Sequence, residues 1–472
     1  MSLTRAYAEA LHGLFHRGVA ADAREAAHRL VQDGIAVAVA GASEPGPTIL
    51  RAMATANGAA PASSMIGGGP RTSPAEAARA NGGAMHVLDW EPMWNPANHS
   101  LSTTLPAILA LAEAAARKAG PFANRPAFAI TGERLLSALA IGVEAQARMR
   151  RASGQLDPGQ LKFHPPGAVG AFGAATACGL LLGLDVAGLT HALAIAASRA
   201  AGIQANIGSM TKALHCGEAA AAGLESALMA AHGFTGDADA IGDPRGYGQA
   251  LYGATFEPAH LTASGVPLNV VAPGPAWKLF PSQYGTHFAI TAALTAREQI
   301  SKLGLSPAEI QSVTLATPVM PYIDRPAPAT GLAGKFSFQY TTAAALLDGA
   351  VTVASFKDQR RFAPDMVAML ERIKLQPDAT REGRFDRLQI DTEVVLTGGR
   401  RVTATCDGPP GIWGRPVSAD RLTAKWRGAL QDSVGAAAGE RIAAAAQALA
   451  TGEAPSMITL MDLCANATGP AG

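Results

Sequence analysis

The chain has 472 residues, of which 48% are hydrophobic and 16% charged, so it can bury a large core and is not a largely disordered protein. The formal net charge is +1, which gives no reason to expect a nucleic acid or an anionic membrane as a partner. The cysteines lie far apart and form no C-x-x-C pair, so they predict neither a zinc site nor a disulfide framework. Residues 1–18 show no long apolar run and no cleavage-like site, and we therefore expect a cytoplasmic protein.

Periodic apolar spacing predicts an all-helical domain over residues 1–267. The predicted helices span 4–17, 21–40, 47–57, 73–86, 104–118, 131–152, 167–182, 186–200 and 211–233. Ser73 is the expected N-cap of one of them, with Pro74 as its first helical residue. The apolar run 171–189 contains Asp185 and many small residues, so we expect a buried helix there rather than a membrane span.

The composition changes near 262–278, which predicts a linker. The segments after it predict a helix at 286–301, a strand at 310–319, a helix at 339–348 and a β-hairpin within 385–406 that turns at Gly398-Gly399. Residues 268–408 are therefore the expected smaller α+β lid domain. The helical pattern returns at 418–464, and residues 409–472 would complete the first domain.

Basic side chains occur at the predicted starts of three helices. Lys212 lies in the first turn of a helix that Ser209 or Thr211 could cap, where a cation is unfavourable by about 0.3–1 kcal/mol. His164 stands directly before Pro165-Pro166, at the start of the predicted helix 167–182. His99 stands a few residues before the predicted helix 104–118.

Helix N-termini attract anions, so three ends that met would form a pocket for a small substrate with two or three carboxylates. A histidine in that pocket would be neutral near pH 7 and could act as a base. The bound anion would then offset the unfavourable position of Lys212. His215 shares a helix face with Lys212, although it could equally be an ordinary helix residue.

Two other site types remain open at this point. Ser209-Met210-Thr211-Lys212 matches S-x-x-K, the nucleophile motif of some acyl hydrolases, but the companion S-D-N and K-T-G motifs are missing. His12 and His16 have the i, i+4 spacing of metal ligands, but no third ligand accompanies them, so we predict no metal.

Several separated segments resemble the MmgE/PrpD family. They are HPPGAVGAFGAATACGLLLGLD (164–185), GSMTKALHCGEAAAAGLESALMAAHGFTG (208–236), NGGAMHVLDW (81–90), WKLFPSQYGTH (277–287) and KFSFQYTTAAALLDG (335–349). The family includes 2-methylcitrate dehydratases, cis-aconitate decarboxylases and iminodisuccinate epimerases. The resemblance implies a mainly α fold with a large helical domain and a smaller α+β lid, a homodimer, and catalysis without metal or organic cofactor.

Carried over by position, the resemblance implies a set of active-site residues: Asp89, His99, His164, Lys212, Lys278 and Tyr322. It implies that Lys212 and Lys278 hold substrate carboxylates, with His215 and Met93 also in the substrate-binding set. His164 and His99 would be the acid/base candidates and Tyr322 a second proton donor. Asp89 would orient a neighbour or close the site electrostatically.

One segment departs from the family pattern. Where the family reads Asp-Phe-Asp-Asp-Thr, this chain reads Asp89-Trp90-Glu91-Pro92-Met93, so Met93 replaces a small hydroxyl residue beside the pocket. The following Trp94-Asn95-Pro96-Ala97-Asn98-His99 most resembles the form in cis-aconitate decarboxylases.

The sequence therefore predicts a cofactor-independent lyase that moves a proton next to a carboxylate of a small di- or tricarboxylate, of the 2-methylcitrate dehydratase or cis-aconitate decarboxylase type. The alternatives are a dicarboxylate epimerase of the same family, an S-x-x-K hydrolase with Ser209 as its nucleophile, and a family member that binds a carboxylate without turnover.

Overall fold

The computed structural model describes residues 2–122, 130–157, 161–263, 267–450, 452 and 454–467. The first part of the chain consists of α1 (Leu3–His16), α2 (Ala21–Gly41), α3 (Pro45–Asn57), α4 (Pro74–His86), α5 (Ser100–Ala116), α6 (Gly132–Ala152), α7 (Pro165–Leu181), α8 (Val186–Ala197), α9 (Thr211–Ala231), α10 (Tyr247–Tyr252) and α11 (Ala259–Thr262). All nine predicted helices of this region are confirmed, with α5 beginning four residues before its predicted start at 104.

The second part contains α12 (Tyr284–Lys302), β1 (Ile310–Pro318), α13 (Gly331–Gly334), α14 (Phe338–Asp348), α15 (Asp358–Arg361), α16 (Pro364–Arg372), β2 (Ile373–Asp378), β3 (Ile390–Leu396) and β4 (Arg401–Cys406). The chain ends in α17 (Ala419–Val434), α18 (Ala436–Ala448) and α19 (Ala454–Ala465). The fold is mainly α with one small sheet, as predicted.

The sheet has the strand order β2-β1-β3-β4. The strands β3 and β4 form the predicted antiparallel hairpin, with Val394 opposite Val402, and Gly398 and Gly399 adopt the positive φ angles of 80° and 77° that its turn requires. The sequence did not predict β2, which pairs parallel to β1. It is an edge strand, which explains how it accommodates Pro377.

Two predicted helix caps have different outcomes. The Ser73 hydroxyl accepts a hydrogen bond from the Glu76 amide at 3.3 Å, which confirms the predicted cap of α4. The predicted cap of α9 is wrong, because Met210 occupies that position and no side chain caps the helix. Ser209 instead donates its hydroxyl to the carbonyl of Asn206 at 2.9 Å.

The helix α7 is buried along its whole length, so the prediction of a buried helix for the apolar run 171–189 is confirmed as far as Leu181; residues 182–188, around Asp185, are partly or fully exposed. It packs against α5, α6 and α9, and small residues allow the close approach. A Cβ at Gly223 of α9 would lie only 2.5 Å from the carbonyl oxygen of Ala171. Over the part of the chain that is described, no helix combines the length and the apolar character needed to cross a bilayer.

The buried apolar side chains form two main cores. The first joins the N-terminal helices to the tail through residues such as Leu422, Trp426 and Leu460. The second lies between α12, α14 and the sheet, and Met93 is its member from the early part of the chain. The domain boundaries at 267/268 and 408/409 stay a prediction, because shared cores do not show which segments fold independently.

Candidate active site

Three helix starts bring basic side chains to one place. His99 is the N-cap of α5, His164 is the N-cap of α7, and Lys212 is in the first turn of α9. The imidazole rings of His99 and His164 have their centroids 6.4 Å apart, and His86 lies between them and Lys212. The structure therefore brings together the three N-termini that the sequence singled out.

These groups line a cavity whose empty space, including the solvent at its open mouth, is about 520 Å³. Its lining includes Asp89, Met93, His99, His164, Lys212 and Tyr322 from the predicted site, together with Ala97, Asn98, Leu161, Pro165, Pro166, Gln204, Ile207, Gln283, Tyr284 and Phe385. The cavity is thus polar where the helix starts meet and apolar over much of the remainder.

Asp89 is the central anion of the site. Its carboxylate accepts hydrogen bonds from Lys212 at 2.8 Å and from Lys278, and it is 2% exposed. Its backbone has a φ of +51°, a left-handed conformation that side chains seldom adopt. Burial opposes ionisation, but the Lys212 and Lys278 ammonium groups outweigh it and hold the pKa of Asp89 well below its usual range.

Lys278 supports Asp89 and does not line the cavity. Its ammonium group donates to the Asp89 carbonyl at 2.9 Å, to the Asp89 carboxylate and to the Ser282 carbonyl at 3.3 Å. An ammonium group has three N–H donors, so all of them are used by the chain. The resemblance implied that Lys278 holds a substrate carboxylate, but that contact would require one of these bonds to break.

Lys212 has a different position. It lines the cavity and donates to His86 Nε2 at 2.9 Å and to Asp89 at 2.8 Å, which leaves one N–H without a partner among the described residues. Its counter-charge at the start of α9 is therefore a protein carboxylate, whereas the sequence had suggested a bound anion. The remaining N–H can donate to a substrate oxygen.

A second buried network was missed by sequence reasoning. His86 and Glu91 are both buried, and His86 Nδ1 donates to Glu91 while its Nε2 accepts from Lys212. This pattern requires the neutral tautomer with its proton on Nδ1, and burial lowers the pKa of His86 in agreement. His99 Nδ1 lies 3.2 Å from the same Glu91 oxygen. The sequence signals were the place of His86 within the family-like segment NGGAMHVLDW and the place of Glu91 directly after it.

Among the described residues, one group of three side chains could hold a metal ion: His86, Glu91 and His99. Each offers one ligand atom, and these atoms lie within 4.8 Å of one another. A metal ion would have to displace the His86–Glu91 hydrogen bond. His12 and His16 have ring centroids 4.0 Å apart and are not part of any such three-ligand group in the described ranges.

His164, which lines the cavity, is hydrogen-bonded to His215, which is not among the described lining residues although the sequence placed it in the substrate-binding set. His164 Nδ1 and His215 Nδ1 are 3.2 Å apart, so one ring donates and the other accepts. Burial, reinforced by the Lys212 charge, lowers the pKa of His164 well below its ordinary value. Burial lowers the pKa of His215 to about 4, and burial near Lys278 lowers the pKa of His99 to about 4. All three rings are therefore neutral near pH 7, as the sequence argument expected of a histidine here.

Glycines permit the close approaches that build the site. Gly202 has a φ of +99°, and a Cβ there would lie 3.1 Å from the His215 ring. In α9, a Cβ at Gly217 would lie 2.3 Å from the Arg79 carbonyl oxygen of α4. The absence of a side chain at Gly217 lets α4 and α9 pack closely and brings His86 against Lys212.

Lys335 is another buried cation that the sequence argument did not select. It donates to the carbonyls of Leu88 at 3.1 Å and Pro281 at 2.8 Å, and so ties the segment before Asp89 to the segment after Lys278. Burial lowers its pKa to about 7. Tyr322 lines the cavity, with its hydroxyl 3.5 Å from the Gln283 side-chain amide.

The S-x-x-K hypothesis receives no geometric support. Ser209 is exposed and bonds to the Asn206 carbonyl, whereas the Lys212 ammonium group bonds to His86 and Asp89. A serine nucleophile needs a base within hydrogen-bond reach of its hydroxyl. No such base contacts Ser209 in the described part of the chain.

Comparison with known proteins agrees with this architecture. The family model of the MmgE/PrpD N-terminal domain matches residues 5–259, and that of the MmgE/PrpD C-terminal domain matches residues 280–451. The chain belongs to the MmgE/PrpD family. Both matches together span most of the sequence, so family membership covers the helical region and the region with the sheet.

Named members of the MmgE/PrpD family are similar over much of this chain. The cis-aconitate decarboxylase of Mus musculus is 34% identical over 77% of this chain and 74% of its own length. That of Homo sapiens is 34% identical over 77% of this chain and 75% of its own length. A cis-aconitate decarboxylase of Aspergillus terreus is 26% identical over 87% of this chain and 85% of its own. All three are lyases by name.

Proposed function

We propose that this protein is a decarboxylase of a small unsaturated di- or tricarboxylate, with the cavity at the three helix starts as its active site. The observation that carries the proposal is the convergence of His99, His164 and Lys212 on one cavity beside Asp89. Relatives named cis-aconitate decarboxylases support decarboxylation ahead of the dehydration and epimerisation that the family resemblance also allows.

Lys212 would bind one substrate carboxylate. One of its three N–H groups has no hydrogen-bond partner among the described residues. Its position at a helix start also lets the helix dipole attract an anion. Asp89 and His86 hold the ammonium group in place, so it does not have to reorganise when the substrate arrives.

The reaction needs one proton. Loss of CO2 breaks the bond between a carboxylate carbon and its neighbour, and the electron pair moves through the adjacent double bond to the carbon next to a second carboxylate. A proton then forms a new C–H bond at that carbon, the double bond shifts by one position, and CO2 leaves. Lys212 would stabilise the charge that develops on the second carboxylate.

His99 and His164 are the proton-donor candidates, with Tyr322 as a third. Both histidines are neutral in the empty site, but a substrate carboxylate beside a ring favours its protonated form. Binding of the anion would therefore favour protonation of the histidine that supplies the proton for the reaction. The choice between these donors stays open.

The proposal predicts stoichiometric CO2 release and a new methylene olefinic signal when the protein acts on cis-aconitate in D2O, followed by proton NMR. One deuterium should enter the carbon that is protonated. Among His99→Ala, His164→Ala and Tyr322→Phe, the substitution that removes the proton donor should abolish turnover, whereas His232→Ala, at an exposed position of the same protein, should not.

The same NMR experiment with citrate and 2-methylcitrate has outcomes that would contradict the proposal. Consumption of citrate or 2-methylcitrate without CO2 would favour a dehydratase, and deuterium exchange without net conversion would favour an epimerase. Saturable binding of cis-aconitate, citrate and 2-methylcitrate without any product would favour the non-catalytic alternative. Cofactor independence, the homodimer and the cytoplasmic location stay predictions.

A further inference from the structure

Each backbone carbonyl of residues 88–90 accepts a hydrogen bond from a different buried lysine. The pairs are Lys335 with Leu88 at 3.1 Å, Lys278 with Asp89 at 2.9 Å, and Lys425 with Trp90 at 2.9 Å. The three lysine side chains are at most 4% exposed. They come from the end of α13, from the segment before α12 and from α17, so three distant parts of the chain meet at one turn.

The turn around Asp89 has a backbone conformation that needs support. The φ of Asp89 is +51°, and a side-chain-bearing residue keeps such a value only where the surrounding contacts hold it. The Asp89 amide donates to the His86 carbonyl at 2.8 Å. The carboxylate of the same residue accepts from Lys212 at 2.8 Å, so the backbone of Asp89 determines where the Lys212 ammonium group is held.

The contacts of Lys335 go to the backbone on both sides of the site. Besides the Leu88 carbonyl it binds the Pro281 carbonyl at 2.8 Å, and it forms no ion pair with a carboxylate of the described residues. Burial lowers its pKa to about 7, but even a neutral amine has the two N–H groups that these bonds use. An apolar side chain of similar length would avoid the cost of burying an amine, so packing alone does not explain a lysine here.

The contacts of Lys425 connect the tail of the chain to the same turn. Its ammonium group donates to the Asp33 carboxylate of α2 at 2.6 Å as well as to the Trp90 carbonyl, and it lies 5.3 Å from the centroid of the Trp90 ring. Trp426 Nε1 donates to the same Asp33 oxygen at 2.8 Å. One ammonium group therefore joins α17, α2 and the residue that follows Asp89.

We propose that Lys335 and Lys425 are positioning residues that, together with Lys278, hold residues 88–90 in the turn that aims the Asp89 carboxylate at Lys212. Neither α13 nor α17 contributes a residue to the described cavity lining, so both helices act on the site through this turn. This role deepens the proposed function and rests on it for the effect on turnover. The effect on the backbone at Asp89 rests on the contacts alone.

Hydrogen exchange at the Asp89 amide tests the role of Lys335 without any reaction. Lys335→Met removes two donors and leaves no described carboxylate without its cation. Arg297→Met is the matched control, because Arg297 also donates to two carbonyls, those of Leu346 and Leu347, which lie outside the cavity lining. Exchange is followed by mass spectrometry with fragmentation to single residues.

Lys335→Met should speed exchange of the Asp89 amide by about ten- to a hundredfold, because a bond from a charged donor no longer opposes local opening. The Arg297 variant should exchange this amide at the wild-type rate. Unchanged exchange in the Lys335 variant overturns the proposal, and so does equal acceleration in the control, which would show a general loosening of the fold.

Lys425 is tested in a variant that leaves no buried charge unpaired. Lys425→Met is combined with Asp33→Asn, because Asp33 would otherwise lose its cation, and asparagine can still accept the bond from Trp426. The double variant should speed exchange of the Asp89 amide as Lys335→Met does, whereas Asp33→Asn alone should not. Equal rates in the double variant and in Asp33→Asn alone remove Lys425 as a positioning residue.

A double-mutant cycle tests whether Lys335 acts through Asp89. The four proteins are the wild type, Lys335→Met, Asp89→Asn and the combination, and kcat/KM is measured by CO2 release from cis-aconitate. Lys335→Met should lower kcat/KM by about ten- to a hundredfold in the wild type, because a displaced Asp89 misplaces Lys212. It should lower it by about twofold or less in Asp89→Asn, where the carboxylate to be aimed is already gone.

Equal losses in the two backgrounds would show that Lys335 affects turnover by another route, as a merely structural residue would, and would overturn the proposal. The reaction itself is tested separately by the wild type. No CO2 release from the wild type overturns the proposed reaction, and hydrogen exchange at the Asp89 amide then decides the positioning role.

Discussion

Replacing Asp89 with asparagine tests the central ion-pair group of the site. The substitution keeps the shape of the side chain and removes the negative charge that Lys212 and Lys278 share. Removing one partner of a buried ion pair costs about 3–5 kcal/mol, because the other charge is left uncompensated. All three side chains are at least nine-tenths buried, so solvent screening does not reduce this figure much.

The melting temperature converts this free energy into a measurable shift. At about 2.1 cal/mol/K per residue, a chain of 472 residues has an unfolding entropy of about 1 kcal/mol/K. Asp89→Asn should therefore lower the melting temperature by about 3–5 °C in differential scanning calorimetry. Asp432→Asn, at an exposed position of α17, is the control and should leave it unchanged.

The same variant has a defined pH dependence. The pKa of Asp89 is lower in the folded state than in the unfolded state, so its stabilisation is fully present above the unfolded value of about 3.9. It is lost as the pH falls through the folded value. The difference in stability between wild type and Asp89→Asn should be constant near neutral pH and should narrow below about pH 4.

Added anions provide the sharpest test of the electrostatic argument. In Asp89→Asn two ammonium groups lack a counter-charge, and a small dicarboxylate such as malonate can supply it. An anion at 100 times its dissociation constant would return about 2.7 kcal/mol. A variant that melts with the wild type, or that malonate stabilises no more than the wild type, would refute the assigned role of Asp89.

Three further substitutions address other parts of the site. Lys212→Ala should lower kcat/KM by about 10²-fold or more, measured by CO2 release, with a smaller loss of melting temperature than the Asp89 variant shows; full turnover with a lower melting temperature would make Lys212 structural. Gly202→Ala should lose activity because the added Cβ meets the His215 ring. Gly304 also has a positive φ but faces open space, so Gly304→Ala should cost about 1–3 kcal/mol of stability and leave activity unchanged. The pKa of Lys335 is lowered to about 7 in the folded protein, so wild-type stability should rise with pH from about 7 up to the pKa of an unfolded lysine. Lys335→Met removes this titration and should flatten the rise; an unchanged pH profile in thermal melts would contradict this.

Most secondary structure was predictable because its signals are local. Apolar residues at helical spacing marked α1 to α9, and Ser73 with Pro74 marked the start of α4. Gly398 and Gly399 marked the hairpin turn, since both adopt positive φ. The strand β2 was missed because its alternation covers only Ile373 to Gln376 and stops at Pro377, and the strand forms by pairing with β1, about sixty residues earlier in the chain.

The residues of the site were largely predictable from the sequence, but their hydrogen-bond and ion-pair partners were not. The sequence alone placed His164 and Lys212 at helix starts and His99 a few residues before another, because proline and periodicity are read over a few residues; that His99 is itself the N-cap appeared only in the structure. Family resemblance added Asp89, Lys278 and Tyr322 as candidates. It could not assign the partners of each lysine, because a hydrogen bond between distant segments depends on how the helices pack.

The tertiary structure alone decided what each group does in the empty site. It placed Asp89 between Lys212 and Lys278, used every donor of Lys278, and left one donor of Lys212 for a ligand. The bonds from both lysines to Asp89 join residues more than a hundred positions apart, and the one from Lys212 depends on the close packing of α9 against α4 at Gly217. Local sequence fixes which groups stand at the helix ends, whereas burial and long-range packing fix their partners and so their charge states.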